Sequence, residues 1–208
     1  VNCSGSPIGL EPETQKCEAI LQAWYPGQQG GKAVAEVLFG DYNPAGKLPV
    51  TFYRNVSQLP DFEDYNMTGR TYRYMQDVPL FPFGYGLSYT TFGYGKTVLD
   101  KNELTAGQSL KLTVPVTNTG KRNGEEVVQV YLRKQGDAEG PIKTLRAFKR
   151  VSIPAGKTVN VEFDLKDKEL EWWDAQSNTV RVCPGNYDIM VGGSSKEEDL
   201  QRTTIAIK

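Results

Sequence analysis

Trp24-Tyr25-Pro26-Gly27-Gln28-Gln29-Gly30-Gly31, then Lys32 to Gly40, then Asp41-Tyr42-Asn43-Pro44-Ala45-Gly46-Lys47-Leu48-Pro49-Val50-Thr51-Phe52, is the stretch whose reading decides the fold. Pro26 and Gly27 break whatever element precedes them. Gly31 to Phe39 places Val34, Val37 and Leu38 on one helical stripe, and Gly40 supplies the C-terminal stop. Leu48 to Tyr53 puts Val50 and Phe52 on one face and reads as a strand. Upstream, Glu11-Pro12-Glu13-Thr14 is acidic with a proline near the first turn, which suits a helix start. Cys17, Ile20 and Leu21 share a face of that short helix. Ile20 to Trp24 reads equally as a following strand, because short apolar runs are not resolved by period alone. Arg54 to Pro79 shows little periodicity but carries Tyr65, Tyr72, Tyr74, Arg70 and Arg73. Its aromatic content argues for a functional loop rather than a disordered one.

The pattern changes near Gly93-Tyr94-Gly95. From Leu104 onward the alternation is of period two. Leu110, Leu112, Val114 and Val116 point one way, with Lys111, Thr113 and Thr117 the other. Val128, Val130 and Leu132 define a second strand, and Val159, Val161, Phe163 and Leu165 a third. Tyr187, Ile189 and Val191 define another, and Ile205 with Ile207 closes the set. Asn118-Thr119-Gly120, Pro154-Ala155-Gly156 and Pro184-Gly185-Asn186 supply the turns. Strands at this spacing predict an antiparallel β-sandwich of about 100 residues.

A second marker block is Phe81-Pro82-Phe83-Gly84-Tyr85-Gly86-Leu87-Ser88-Tyr89-Thr90-Thr91-Phe92. With the opening stretch, in this order and at this spacing, it resembles the end of the α/β-sandwich domain of glycoside hydrolase family 3. Three later motifs resemble the fibronectin type III-like domain that follows it in many members. They are Gly124-Glu125-Glu126-Val127-Val128-Gln129-Val130-Tyr131, Leu145-Arg146-Ala147-Phe148-Lys149-Arg150-Val151 and Pro184-Gly185-Asn186-Tyr187. The resemblance covers nearly the whole chain. It implies an α+β chain in two parts: a partial α/β sandwich over residues 1–93, then an all-β immunoglobulin-like (fibronectin type III-like) sandwich over residues 94–208. It further implies the C-terminal portion of a retaining, exo-acting β-glycosidase of the β-xylosidase or β-glucosidase type. The nucleophilic aspartate and the acid/base glutamate of the family fall outside these segments, so no catalytic residue is carried over and the chain alone is expected to be inactive. The implied partners are an oligosaccharide substrate, reached through the parent enzyme, and an N-terminal barrel domain. Location outside the cytoplasm, secreted or periplasmic, follows from the family. The alternative is a non-catalytic carbohydrate-binding or structural β-sandwich module.

Composition limits other chemistries. The 208 residues carry a net charge of -1, which gives no electrostatic case for nucleic acid or an anionic membrane as partner. No apolar run is long enough to span a bilayer as a helix. With no histidine, Ser-His-Asp and Cys-His machinery is excluded, and the commonest zinc ligand is lost. No metal or cofactor is expected. Cys3, Cys17 and Cys183 are an odd count, and Cys3 with Cys17 pairs only if a loop folds back. Gly27-Gln28-Gln29-Gly30-Gly31 lacks the Lys-Ser/Thr pair of a phosphate loop and reads as flexible backbone at a helix start. Sequons stand at Asn2, Asn55 and Asn66. Val1 reads as the end of a buried strand, so the expectation is a piece of a longer protein, with apolar surface that favours dimerisation of the isolated chain.

Two features are candidates for substrate contact. One is the Trp24-Tyr25 turn, which lies beyond a strand end if Ile20 to Trp24 is a strand; sugars stack their C–H faces on such rings. A buried Trp-Tyr pair of plain core is its other reading. The second is Arg70-Thr71-Tyr72-Arg73-Tyr74, with Arg70, Tyr72 and Arg73 as donors and stacking faces on irregular backbone. Those residue types equally seal a domain interface. Of Trp172 and Trp173, neighbours on a strand face opposite ways, so one is core and the other at most half exposed.

Overall fold

The alternation after Leu104 builds most of the structure. A computed structural model describes residues 1–208. Its strands are β1 (Phe92–Tyr94), β2 (Val98–Leu99), β3 (Glu103–Leu104), β4 (Leu110–Asn118), β5 (Gly124–Lys134), β6 (Thr144–Ile153), β7 (Thr158–Leu165), β8 (Trp172–Asp174), β9 (Thr179–Arg181), β10 (Gly185–Gly192) and β11 (Gln201–Ile207). The helices are short: α1 (Glu11–Lys16), α2 (Gly30–Phe39), α3 (Thr71–Tyr74) and α4 (Asp167–Leu170).

One sheet is centred on β4. It pairs antiparallel with β7 along one edge and with β1 and β2 along the other. The second sheet has the order β3-β11-β10-β5-β6, with β3 parallel to β11 and all other pairs antiparallel. Leu110, Leu112, Val114 and Val116 of β4 are buried against Val128, Val130, Leu132, Ile189, Val191, Ile205 and Ile207 of the opposite sheet. Each such side chain contributes about 1.5–3 kcal/mol by leaving water. β6 falls on the Leu145-to-Val151 motif.

β5 departs from simple alternation. Val128 to Leu132 is buried at every position. Both faces are covered because residues 1–91 lie on its outer side. There Tyr131 meets Tyr72 edge to face, with ring centres 5.9 Å apart. Gln129 Nε2 donates to the carbonyls of Gly84, at 3.1 Å, and Gly193, at 2.6 Å.

The first 91 residues are less regular than the sequence suggests. α1 ends at Lys16, and Cys17 is already extended, so Cys17, Ile20 and Leu21 do not share a helical face. Ile20 to Trp24 forms only one parallel bridge, Asn2 with Gln22, and Trp24 turns away at φ 54°. Leu48 to Tyr53 is not a strand. Pro49 has no N–H to donate, and the Leu48 N–H is taken by the Tyr85 carbonyl at 2.8 Å. Only Phe52 pairs, antiparallel with Phe81. α2 does form and ends at Gly40, whose φ of 81° is open to glycine at little cost. Its apolar stripe is covered at Val34 and Val37, which are half-buried, while Leu38 is 59% and Phe39 85% exposed. Cys3 and Cys17 are free and exposed, and Cys183 is free and buried.

Trp172 is 2% exposed and Trp173 53%, as the alternation requires. Trp172 packs edge to face on Tyr187 and donates from Nε1 to Asp137 Oδ2 at 2.6 Å. No helix is long and apolar enough to cross a membrane.

Candidate saccharide-contact edge and the junction beneath it

Trp24 is half-buried and meets Phe52 edge to face, with ring centres 6.1 Å apart. Phe52 meets Phe81 at 6.2 Å, and Phe81 stacks on Tyr85 at 5.6 Å. The four rings form a continuous aromatic row. Tyr25 stands outside it and is 80% exposed, with its ring over the Gly5 backbone. The turn therefore separates its two aromatics: Trp24 joins the packing and Tyr25 faces solvent.

α3 is held to the Thr51-Phe52-Tyr53 segment from both sides of Phe52. The Thr71 N–H donates to Tyr53 Oη at 2.9 Å, and the Tyr72 N–H donates to Thr51 Oγ1 at 3.1 Å. The Tyr72 ring stacks on Phe83 at 4.2 Å, and its hydroxyl accepts from the Leu145 N–H at 3.0 Å. Arg70 donates to the carbonyls of Asn66, Asp61 and Asp64, which closes its own loop. Arg73 lies on the sandwich side of α3, where its carbonyl accepts from the Ile142 N–H at 2.7 Å. The structure thus joins Trp24 to the α3 residues through Phe52 and its neighbours. It leaves Tyr25 apart, and it commits Arg70 and Tyr72 to contacts within the protein.

A cavity of about 500 Å³ opens beside this junction, between Tyr72, Phe81, Tyr85, Ile142, Lys143 and Glu197. Lys143 is buried and donates to the Ser195 carbonyl and to Glu197 Oε2, both at 2.8 Å. Glu197 is held below its ordinary range by Lys143 and Arg202, against the opposing effect of its partial burial.

The carboxyl group pushed upward is Glu126 of β5. Burial raises it; Lys47, at 3.2 Å, and the donated Tyr94 hydroxyl, at 2.9 Å, pull the other way. Burial and the same carboxylate raise the Tyr94 phenol. A raised carboxyl is the mark of a general acid, but Glu126 is only 4% exposed and is covered by its own partners. The arrangement is a buried charge pair that fastens Lys47 of the first 91 residues to the sandwich. Sequence reasoning passed over it, although Glu126 shares the inward face of Val128 and Val130. Asp174 is the opposite case: Ser177 and Arg181 hold its carboxyl down to about 2 on an exposed hairpin. No group of three or more metal-binding side chains is present.

Residues 1–89 match the model of the glycosyl hydrolase family 3 C-terminal domain, and residues 126–195 match that of the fibronectin type III-like domain. The chain belongs to glycoside hydrolase family 3, as its C-terminal portion. Over 100% of its length it is 57% identical to a xylan 1,4-beta-xylosidase of Xylanibacter ruminicola, of which it covers 24%. It is 38% identical to a periplasmic beta-glucosidase of Salmonella typhimurium over 92% of its length and 27% of that protein. Among solved structures, a β-glucosidase from Erythrobacter marinus superposes with a TM-score of 0.85 at 42% identity, covering 99% of this chain and 27% of that one. The chain therefore spans about a quarter of the relatives it matches.

Proposed function

We propose that the chain is the non-catalytic C-terminal portion of a retaining, exo-acting β-glycosidase that releases terminal sugars from oligosaccharides, of the β-xylosidase or β-glucosidase type. The observation that carries this reading is the match to the xylosidase, which runs over 100% of this chain and covers 24% of that enzyme. In this reading residues 1–93 complete the α/β domain beside the active site, and residues 94–208 brace it from outside. Retaining hydrolysis needs two carboxyl groups about 5–5.5 Å apart, and these are assigned to the preceding part of the enzyme. Tyr25, exposed at its turn, and Trp24, half-buried in the aromatic row, are the two aromatic faces offered to a sugar. Arg70, Tyr72 and Arg73 set the position of the loop beside it. Secretion or a periplasmic location is proposed on the strength of the Salmonella relative's name. The test is an assay of the purified chain on aryl β-xylosides and β-glucosides. Hydrolysis no faster than buffer is expected; turnover abolished by changing a carboxylate within residues 1–93 would overturn the reading.

The proposed partner is a barrel domain. Phe39, Val56, Phe62, Tyr65 and Leu87 are each at least 72% exposed and all belong to the first 91 residues. Large apolar side chains left exposed in one part of a chain suit a contact surface. Without the barrel the same side chains are expected to pair copies of the chain. Light scattering should show association that rises with concentration, and a monomer at all concentrations would contradict it.

A further inference from the structure

The cavity beside the junction is walled by segments far apart in sequence, and hydrogen bonds fix those walls to one another. The Ile142 N–H donates to the Arg73 carbonyl at 2.7 Å, and the Ser195 N–H to the Phe83 carbonyl at 2.9 Å. The turn that carries Gln76 and Asp77 is held through the next residue. The Val78 carbonyl accepts from Arg54 Nε at 3.2 Å and from Gln58 Nε2 at 3.3 Å. The space of about 500 Å³ is therefore pre-formed, and its size is that of a small-molecule site.

Its chemistry selects against ions. Arg54, Lys143 and Lys196 line it, and each already faces a carboxylate: Glu11 at 3.4 Å, Glu197 at 2.8 Å and Glu198 at 2.7 Å. No positive charge is left over for an anion. A hard cation needs six or more oxygen ligands, and no cluster of that kind stands here. What remains is hydroxyl recognition on an aromatic wall. Tyr72, Phe81 and Tyr85 all border the space, with the Phe81 and Tyr85 rings stacked 16° from parallel. Three groups on the same wall make no hydrogen bond or ion pair within the chain: the Gln76 amide, the Asp77 carboxylate and the Tyr85 hydroxyl. Gln76 and Asp77 are exposed and Tyr85 is half-buried, so water reaches all three. An amide and a phenol both donate and accept, and a carboxylate accepts. A ring that carries several hydroxyls between apolar C–H faces matches this set, hydroxyls to the polar groups and C–H faces to the aromatic rings.

We propose that this cavity binds a neutral saccharide of one or two rings, with Gln76, Asp77 and Tyr85 as its polar contacts. The site is non-catalytic and complete within this chain, and neither Trp24 nor Tyr25 borders it. It goes beyond the function proposed above and does not rest on it, because the lining alone selects the ligand.

The test is saturation-transfer NMR of the 208-residue chain titrated with xylobiose and with cellobiose, using sorbitol as a polyol without a ring. Saturable transfer to a disaccharide and none to sorbitol is expected. Tighter xylobiose would assign the site to pentose units, tighter cellobiose to hexose units, and equal binding to both. Tyr85→Phe keeps the ring and removes only the hydroxyl, and it should weaken binding by about threefold. Asp77→Ala changes an exposed side chain with no partner to lose, so it reads the site without disturbing the fold; it should weaken binding by about tenfold, the value of one charge-assisted contact. Tyr25→Ala and Trp173→Ala alter exposed aromatics outside the cavity and should leave affinity unchanged. No saturable transfer, the same response to sorbitol, unchanged affinity in Tyr85→Phe and Asp77→Ala, or binding lost through Tyr25→Ala or Trp173→Ala would overturn the proposal.

Discussion

Lys47→Met is expected to lower the unfolding free energy by about 3–5 kcal/mol at neutral pH, the cost of leaving a buried charge without its partner. Lys47 and Glu126 are only 14% and 6% exposed at their side chains, and Lys47 Nζ also donates to the Gly86 carbonyl at 3.2 Å. Met keeps much of the lysine stem's packing but not its charge. The pH dependence follows from the direction of the Glu126 shift. Burial raises its folded-state value above the unfolded one. A raised carboxyl contributes stability that is fully present below the unfolded value and is lost as pH rises through the folded one. Without Lys47 the folded value rises further, so the deficit should be small near pH 4 and should grow toward neutrality. Urea unfolding of both proteins across that range is the measurement. Adding Glu126→Gln should recover much of the loss at neutral pH, since a neutral amide needs no counter-charge. A deficit that does not change with pH would show that the pair is not ionised in the folded protein.

Phe52→Ala should cost about 3–5 kcal/mol, the range for removing a buried aromatic ring. Phe52 is 1% exposed and sits between Trp24 and Phe81, while its backbone exchanges hydrogen bonds with residues 80 and 81. The flanking Thr51 and Tyr53 hold α3, so the ring anchors both candidate contact segments at once. Phe52→Leu fills more of the space and should cost less than half as much. In the alanine variant the Trp24 emission should move to longer wavelength, and this signal should melt before the sandwich. A variant with unchanged stability and unchanged emission would mean that the aromatic row holds nothing together.

The sandwich was legible because its constraint is local and repeated. Leu110 to Val116 must face one way, and any one-residue slip would put Lys111 in the core. The first 91 residues obey no such rule. Leu48 to Tyr53 has a strand's composition, yet Pro49 removes a donor and the Leu48 N–H and carbonyl are spent on Tyr85 and Gly84. At Trp24, a backbone in the left-handed region separates two aromatics that the sequence presents as a pair. Tyr72 stood between ligand contact and interface. Its stacking on Phe83 and its bond from Leu145 depend on residues 11 and 73 positions away, and no local pattern reports them. Glu126 could have been found from its inward place on β5, but its partners Lys47 and Tyr94 could not.

The central claim is that this chain completes and braces a catalytic part encoded ahead of it. Its most direct test is a chimera in which residues 1–208 replace the corresponding C-terminal quarter of the Xylanibacter ruminicola xylosidase, assayed on an aryl β-xyloside beside the same enzyme truncated at that point. The account predicts turnover in the chimera within about tenfold of the intact enzyme, a barrier change of about 1.4 kcal/mol, and none in the truncated form. A folded chimera without activity, or a truncated enzyme that works as well as the intact one, would contradict it.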